Sequence, residues 1–397
     1  MSAPPDPQPG PDRDAYAGAV DHYTSPSRRD WVKRTWEEPE LIRLLDTAVG
    51  YTAGGHADAT GHAGATGHAD ATGHADATGH AGATEHRHTD TTTTLDVLDV
   101  GCGAGVALEL LRATPTVGAA RGPNVRYLGV DLDADLLAVA TSRFGDGRTR
   151  FARADIRDGL PDGPHDLYLS TGVPYSHLTR DELTAVVTEA LTAAAQRHRP
   201  TVLVIDVLGR YSLEWTSRWD QDRWEYRMSF FTTDRDVTST PMSTYGGPEL
   251  EMLLRAAADT AGCHLDRIAL VDRSIVVGRH TATGEYTPGL RNYRQLVNDL
   301  ADVETVVDLA ELRLGDLDLD LPAGPTPVRT FFQRFAARWD ATVTAASASA
   351  AGMSEARVAA ELQPALAREL LLLELESQPG LGVGHSLTAT VVAAPRG

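Results

Sequence analysis

A strand that runs into a glycine-rich turn is the feature that most constrains the fold of this chain. The segment Leu95–Val100 is mostly apolar, and Gly101, Gly103 and Gly105 follow it at once. Glycine is needed in such a turn because a side chain would block the close approach of a ligand to the backbone. The spacing is GxGxG and not the GxGxxG of dinucleotide-binding turns, since Val106 stands where the last glycine would be.

Strands and helices alternate beyond this turn. The patterns predict strands at 95–100, 125–130, 150–154, 167–170 and 201–207, and two more at 265–271 and 274–279. They predict helices at 106–112, 134–144 and 247–261, and one that Thr179 opens with a capping box to Glu182. This order predicts an α/β fold, a Rossmann-like mostly parallel sheet with helices on both faces, within residues 93–284.

The rest of the chain has a different character on either side of that domain. Residues 285–397 predict a mainly helical C-terminal module with helices at 327–346 and 354–375, and the run 386–392 predicts a strand in a small pair with 317–321. Phenylalanines at helical spacing in this module must be buried against the sheet or against a second subunit. A homodimer is therefore one of the two interpretations of this apolar face. The N-terminal regions are a disordered leader at 1–15, a helical cap at 16–50 and a low-complexity insertion at 51–92.

The insertion repeats a histidine-containing hexamer, GHADAT or GHAGAT, five times. Evenly spaced imidazoles can capture a transition metal. The alternative is a solvated insertion in a tolerant loop, and we favour it because a flexible hexamer of small residues fixes no ligand geometry. We therefore expect no metal centre in this protein.

Charge and cysteine content exclude several classes of partner. The chain has 55 acidic and 36 basic residues and a formal charge of −19, which repels phosphate backbones and anionic lipid. We therefore expect no nucleic-acid partner and no membrane association. Two cysteines in 397 residues argue against a disulfide scaffold, and the proline-rich acidic start is not a signal peptide, so we expect a cytoplasmic protein.

Four elements in order resemble class I S-adenosylmethionine-dependent methyltransferases. The first is DVGCGAG, from Asp99 to Gly105; the second is the strand YLGVDLD, ending at Asp131; the third is FARADI, with Asp155; the fourth is DLYLSTGVPYSHL. The resemblance covers roughly residues 95–279. It implies an S-adenosylmethionine cofactor, bound at the carboxyl ends of the first strands.

The resemblance also implies roles for individual residues. Asp131 is expected to accept from the ribose hydroxyls, and Asp155 from the adenine amino group. Leu132 and Ile156 are expected to sandwich the adenine, and Thr171 to contact the cofactor from the fourth element. Asp99, Gly101, Gly103 and Gly105 complete the expected cofactor site. Taken singly, each acid has an ordinary alternative as a helix cap, turn residue or solvated loop acid, but three at consecutive strand ends favour a site.

The loop after the fourth strand carries the candidate catalytic residues. His177 is the candidate base and Tyr175 a second candidate, because ligands bind at this edge of such sheets. The alternative is that His177 lies near a helix start or on the surface. The GVPY segment differs from the NPPY motif of amino-group methyltransferases, since Gly172 replaces the asparagine. Aromatic residues between 211 and 226 either wall an acceptor pocket or form the core of an inserted cap.

The sequence thus predicts a methyltransferase that acts on a small molecule of specialised metabolism, with transfer to oxygen favoured over nitrogen or carbon. The alternative is a protein that binds S-adenosylmethionine for a structural or non-methylating role. A nicotinamide-dependent oxidoreductase is disfavoured by the glycine spacing.

Overall fold

The structure, a computed structural model, describes residues 20, 29–53, 93–120, 122–227, 239–282, 284–315 and 324–394. The predicted leader at 1–15 and the histidine repeats lie outside the described residues. The strands are β1 Thr94–Val100, β2 Asn124–Asp131, β3 Thr149–Arg153, β4 Leu167–Leu169, β5 Thr201–Gly209, β6 Arg223–Arg227, β7 Ser239–Tyr245, β8 Leu265–Arg273 and β9 Ser386–Ala393.

The longer helices alternate with these strands. They are α1 Glu38–Thr52, α2 Val106–Arg112, α3 Ala134–Phe144, α4 Arg180–Ala195, α5 Gly247–Ala261, α6 Tyr293–Ala301, α7 Thr326–Ala350 and α8 Gln363–Leu375. Shorter helical turns lie at Lys33–Glu37, Pro115–Gly118, Ile156–Asp158, Pro174–His177, Leu213–Arg218, Arg279–Ala282, Leu309–Leu312, Glu355–Arg357 and Val358–Leu362. The predicted capping box is present: the Thr179 hydroxyl accepts from the Glu182 amide at 3.3 Å, and Glu182 accepts from the Thr179 amide at 2.7 Å.

One mixed sheet organises the described residues. Its strands run in the order β3-β2-β1-β4-β5, and β9 and β8 follow beyond β5. The first five are mutually parallel, whereas β9 lies antiparallel between β5 and β8. Helices α4 and α5 cover one face, and α1 and α2 the other. The predicted Rossmann-like α/β fold is therefore confirmed. Helix α1 belongs to one helical layer of this fold and not to the separate N-terminal helical cap that was predicted at 16–50.

Two insertions leave the sheet at the carboxyl edge of its parallel strands. The first, residues 210–246, follows β5 and contains the hairpin β6–β7; the second, residues 274–385, connects β8 to β9. Their buried residues form one hydrophobic cluster, in which the Trp219 and Phe332 rings stack 5.9 Å apart. We call this two-part unit the cap.

The C-terminal strand corrects two expectations. β9 pairs with β5 from Thr201↔Ala393 to Leu208↔Ser386, so the boundary predicted at residue 284 does not separate the sheet from the rest of the chain. Residues 316–323 lie outside the described residues, and β9 is in the main sheet and not in a small pair.

The prediction of a strand at 274–279 was wrong. Ser274 adopts a left-handed conformation, with φ of 56°, which ends β8. Ile275, Val276 and Val277 are buried, but their amides donate to the Glu374 carboxylate of α8 at 3.2, 2.6 and 3.0 Å. A buried side chain thus satisfies the donors that a neighbouring strand would have satisfied.

A chain that ends at Gly284 should therefore fail to fold. It lacks β9, which would leave β5 and β8 without their shared partner and remove buried Leu387, Ala389 and Val391 from the core. Circular dichroism should show no cooperative thermal transition, whereas a control ending at Ala394 should melt like the parent. A parental melting transition in the shorter chain would contradict the assigned sheet order.

Candidate active site

Three glycines form the turn after β1, and the described residues leave open space beside one of them. Gly101, Gly103 and Gly105 have φ of 68°, 50° and 82°, conformations that side chains rarely adopt. A Cβ atom on Gly101 would lie 2.9 Å from Cγ of Pro174, so this glycine is required by packing. Among the described residues, the nearest atom to a Cβ on Gly103 would be Cδ1 of Leu136 at 4.0 Å. The described part of the chain therefore leaves space for a bound molecule beside Gly103.

Asp131, at the end of β2, is fastened to this turn. Its carboxylate accepts from the amide of Gly103 at 2.8 Å and from the amide of Asp133 at 3.0 Å. Its own carbonyl accepts from the amide of Ala154 at 3.1 Å, which brings the end of β3 alongside. Burial raises the pKa of Asp131, although these amides act in the opposite direction. Leu132 beside it is an exposed apolar side chain, available to cover a flat ring.

Asp155 follows β3 and has a partner, Arg157, that was not predicted from the sequence. Its carboxylate accepts from the backbone amide and from Nε of Arg157 at 3.0 and 2.9 Å. The bond to this guanidinium lowers the pKa of Asp155, and a quarter of the Asp155 side chain stays exposed. Ile156 beside it is half-buried against the core. An adenine amino group would share the carboxylate with Arg157, and the order Asp-x-Arg in the sequence is the signal that could have indicated this pair.

Asp99, on β1, is buried and only half satisfied. One carboxylate oxygen accepts from the Tyr127 hydroxyl, whereas Oδ1 has no partner among the described residues. Burial raises the pKa of Asp99 to about 7, against the opposing effect of the Tyr127 bond. An orphaned buried oxygen beside a glycine turn with open space fits a bound group that carries hydrogen-bond donors or positive charge.

The loop after β4 is held under backbone strain. Val173 has φ of 62°, an outlier for a β-branched residue. The amides of Gly172 and Val173 donate to Oδ2 of Asp206, on β5, at 2.8 and 3.3 Å. Thr171, just before them, is partly exposed at the carboxyl edge. Asp206 was not among the residues predicted from the sequence, although an acid within the most apolar strand is a signal for a buried polar function.

The two candidate catalytic residues have different surroundings from the predicted cofactor residues. Tyr175 is buried in the core between the sheet and α4, and burial raises its pKa above the ordinary range. That is a packing position. His177 is partly buried, and burial together with Arg223 and Arg157 lowers its pKa to about 4. His177 is thus uncharged at neutral pH but a weak proton acceptor.

The aromatic residues after β5 form the core of the cap. Trp215, Trp219, Trp224 and Tyr226 are all at most 5% exposed. The indole nitrogens of Trp215 and Trp219 donate to the carbonyls of Gly209 and Ser212, at 3.0 and 2.8 Å. Of the two readings from sequence, the core of an inserted cap is the one that the structure has.

Comparison with known proteins agrees with the geometry of this site. Residues 97–196 match the model of a family described as a methyltransferase domain. The chain contains a class I S-adenosylmethionine-dependent methyltransferase domain. The match contains the glycine turn, Asp131, Asp155 and the loop after β4, so the family predicted from these elements is confirmed.

Individual relatives of this methyltransferase domain are distant. Malonyl-[acyl-carrier protein] O-methyltransferase of Acetivibrio thermocellus is 32% identical over 81 residues, which is 20% of this chain and 26% of that protein. The chain thus spans about a quarter of the length of that relative. S-adenosylmethionine-dependent methyltransferases of Clostridium acetobutylicum and Mesorhizobium loti align at 15% and 18% identity, each with a TM-score of 0.32. The alignments cover 46% and 50% of this chain, and 78% and 85% of those structures.

Two further properties concern the described residues alone. None of their helices is long and apolar enough to cross a membrane. Their histidine, cysteine and acidic side chains form no group of three or more that could hold a metal ion. The histidine repeats lie outside this part of the chain.

The unfolding stability should report the buried state of Asp99. Its folded-state pKa lies above the unfolded value, so its contribution is fully present below about pH 4 and is lost as the pH rises through 7. Between pH 5 and pH 8 the free energy of unfolding of the parent should fall by roughly 2–3 kcal/mol more than that of Asp99→Asn. Urea titrations at the two pH values measure this difference. An equal pH dependence of the two proteins would contradict the assignment.

S-adenosylmethionine affinity should depend on Asp131 and Asp155. Asp131→Ala and Asp155→Ala each leave polar cofactor atoms without a partner, at about 1–3 kcal/mol, or roughly 5- to 150-fold in Kd. Calorimetric titration measures this change. Asp135→Ala, which removes an exposed carboxylate near Asp131, should bind like the parent. Parental affinity in both test variants would remove the ribose and adenine assignments.

Proposed function

We propose that this protein transfers the methyl group of S-adenosylmethionine to an oxygen atom of a small molecule of specialised metabolism. The observation that carries the proposal is the space that the described residues leave beside Gly103, whose amide donates to Asp131, together with the orphaned oxygen of Asp99 on the strand that leads into this turn. When bound, S-adenosylmethionine supplies a methyl group on a positively charged sulfur, which leaves as a neutral thioether.

In this proposal the chain's own residues bind the cofactor and orient it. Asp131 accepts from the ribose hydroxyls, Asp155 from the adenine amino group, and Leu132 and Ile156 cover the faces of the ring. Thr171 and the strained loop behind it contact the reacting end of the cofactor. Holding donor and acceptor in line is the main contribution such a site makes to the rate.

The cap supports a small acceptor. Both insertions leave the sheet at the carboxyl edge, on the side of β5, β9 and β8, and Val173 in the loop after β4 packs against their hydrophobic cluster. A wall at that side limits the size of a molecule that can reach the methyl group. The charge of −19 disfavours a nucleic acid as the acceptor, and the two buried free cysteines fit a reducing, cytoplasmic compartment.

Oxygen is the proposed acceptor atom for two reasons. Gly172 stands where amino-group methyltransferases of the NPPY type have an asparagine, so the loop lacks the amide that orients an amine. The relative in Acetivibrio thermocellus is an O-methyltransferase by its name.

The test is the incubation of the small-molecule fraction of a cell extract with enzyme and S-adenosylmethionine that carries a deuterated methyl group. Mass spectrometry should show a metabolite that gains one labelled methyl in place of hydrogen, and fragmentation should locate it on oxygen. An Asp131→Ala sample and a sample without enzyme are the controls. Calorimetric binding of S-adenosylmethionine without any labelled product would favour the non-methylating alternative.

A further inference from the structure

A buried polar cluster within the cap contains a histidine–carboxylate pair. Glu214, on the turn after β5, has a fully buried side chain. Its Oε2 accepts from Nδ1 of His385 at 2.5 Å. Its Oε1 accepts from the backbone amides of His280 and Thr281, the latter at 3.1 Å. Three donors thus hold the carboxylate, and in the neutral imidazole the bond from Nδ1 leaves the ring lone pair on Nε2.

Aromatic rings surround this pair and leave one member accessible. The His385 ring lies 5.5 Å from the Trp215 ring and stacks on the His280 ring at 6.0 Å. Nε2 of His280 is bonded to the Tyr226 hydroxyl at 2.6 Å, so His280 is committed within the cluster. The side chain of His385 is 17% exposed, whereas that of Glu214 is 0% exposed. Among the described residues, none is bonded to Nε2 of His385.

His385 lies at the same edge of the sheet as the cofactor residues. It directly precedes β9, whose Ser386 stands opposite Leu208 of β5 and Arg273 of β8. The His385 carbonyl accepts from the amide of Gly209, at the end of β5. The amide of Leu208, one residue earlier, donates to the Ser176 hydroxyl in the loop after β4, at 2.8 Å. Two strand spacings, or about 10 Å, thus separate the line of β9 from that of β4.

The electrostatics of the pair suit proton transfer. Burial acts to raise the pKa of Glu214, but the imidazole of His385 and the neighbouring His280 lower it below its usual value. Burial lowers the pKa of His280 to about 4, so His280 is neutral. A stable anion next to Nδ1 orients the imidazole and stabilises the imidazolium that forms when Nε2 takes a proton. Burial and the neighbouring Arg223 and Arg157, by contrast, oppose the protonation of His177 and lower its pKa.

We propose that His385 is the general base of this enzyme, that Glu214 is its positioning residue, and that the acceptor is an alcohol or phenol that keeps its proton at neutral pH. The proposal rests on the proposed function. The acceptor O–H bond breaks and its proton passes to Nε2 of His385. The electron pair of that bond remains on oxygen, which forms the new O–C bond to the methyl carbon, while the pair of the broken C–S bond stays on sulfur. The imidazolium then returns its proton to solvent.

The experiment compares His385→Ala, Glu214→Gln and His177→Ala with a control, His264→Ala, which removes an exposed imidazole at the start of β8. Labelled product from the extract is measured with and without added imidazole, S-adenosylmethionine affinity by calorimetry, and folding by thermal melting. His385→Ala should lose about 100-fold or more of the product rate with S-adenosylmethionine affinity kept within about twofold. Imidazole should restore part of that rate, and the control should match the parent.

A readout that needs no turnover accompanies these rates. Long-range ¹H–¹⁵N correlation spectra of the imidazoles should show His385 protonated at Nδ1 in the parent, and this tautomer should lose its dominance in Glu214→Gln. Three results would overturn the proposal. The first is a His385→Ala variant with the parental product rate, and the second is a rate loss that imidazole restores in His177→Ala but not in His385→Ala. The third is a parent in which His385 is protonated at Nε2. If the parent gives no product, the proposed function itself fails; if the parent is active and His385→Ala is unaffected, only this inference fails.

Discussion

The buried ion pair between Asp206 and Arg273 joins the parts of the molecule that form the site. Asp206 Oδ2 accepts from Nη2 of Arg273 at 2.7 Å and from the amide of Gly172 at 2.8 Å, and Oδ1 accepts from the Thr388 hydroxyl at 2.8 Å. One carboxylate thus connects β5 to β8, β9 and the loop after β4. Removing one member of such a buried pair leaves an uncompensated charge and costs about 3–5 kcal/mol, so the sheet order and the loop conformation depend on each other.

The cap depends on this arrangement through two further carboxylates. Asp272, next to Arg273, accepts from the backbone amides of residues 381–384, where the second insertion returns to the sheet. Glu374 accepts from the amides of residues 275–277, where that insertion begins. Both ends of the insertion are therefore fixed by buried acids, and His385 is positioned directly after one of them. If the cap moved freely against the sheet, a base within it would not keep a fixed distance to the carboxyl edge. Here the second insertion of the cap is bonded to the sheet at both of its ends.

Sequence periodicity predicted the local elements because the signals for them are local. The apolar runs predicted β1, β2, β5 and β8 to within two residues of their observed ends, the glycine spacing predicted the turn after β1, and Thr179 with Glu182 predicted the start of α4. The same reasoning placed Asp131 at the end of β2, where the structure has it.

Pairing between distant segments was not accessible in this way. The run 386–392 was predicted as a strand, but nothing within it indicates that its partners are β5 and β8, about 180 and 120 residues away. Ile275–Val277 has the composition of a strand, and only the presence of Glu374, far along the chain, explains why it is not one. Glu214 and His385 are separated by 171 positions, so no local sequence pattern could indicate that they form a pair. The buried surroundings that lower the pKa of His177 likewise come from tertiary packing and have no local pattern.

The central claim is that the carboxyl edge around Gly103 is a cofactor site and that the cap walls the acceptor space beside it. A crystal structure of the full chain with S-adenosylhomocysteine tests this claim most directly. We expect the ribose within hydrogen-bond distance of Asp131, the adenine between Leu132 and Ile156, and the sulfur directed toward the space between the loop after β4 and His385. A ligand bound elsewhere, or a sulfur directed away from the cap, would contradict it.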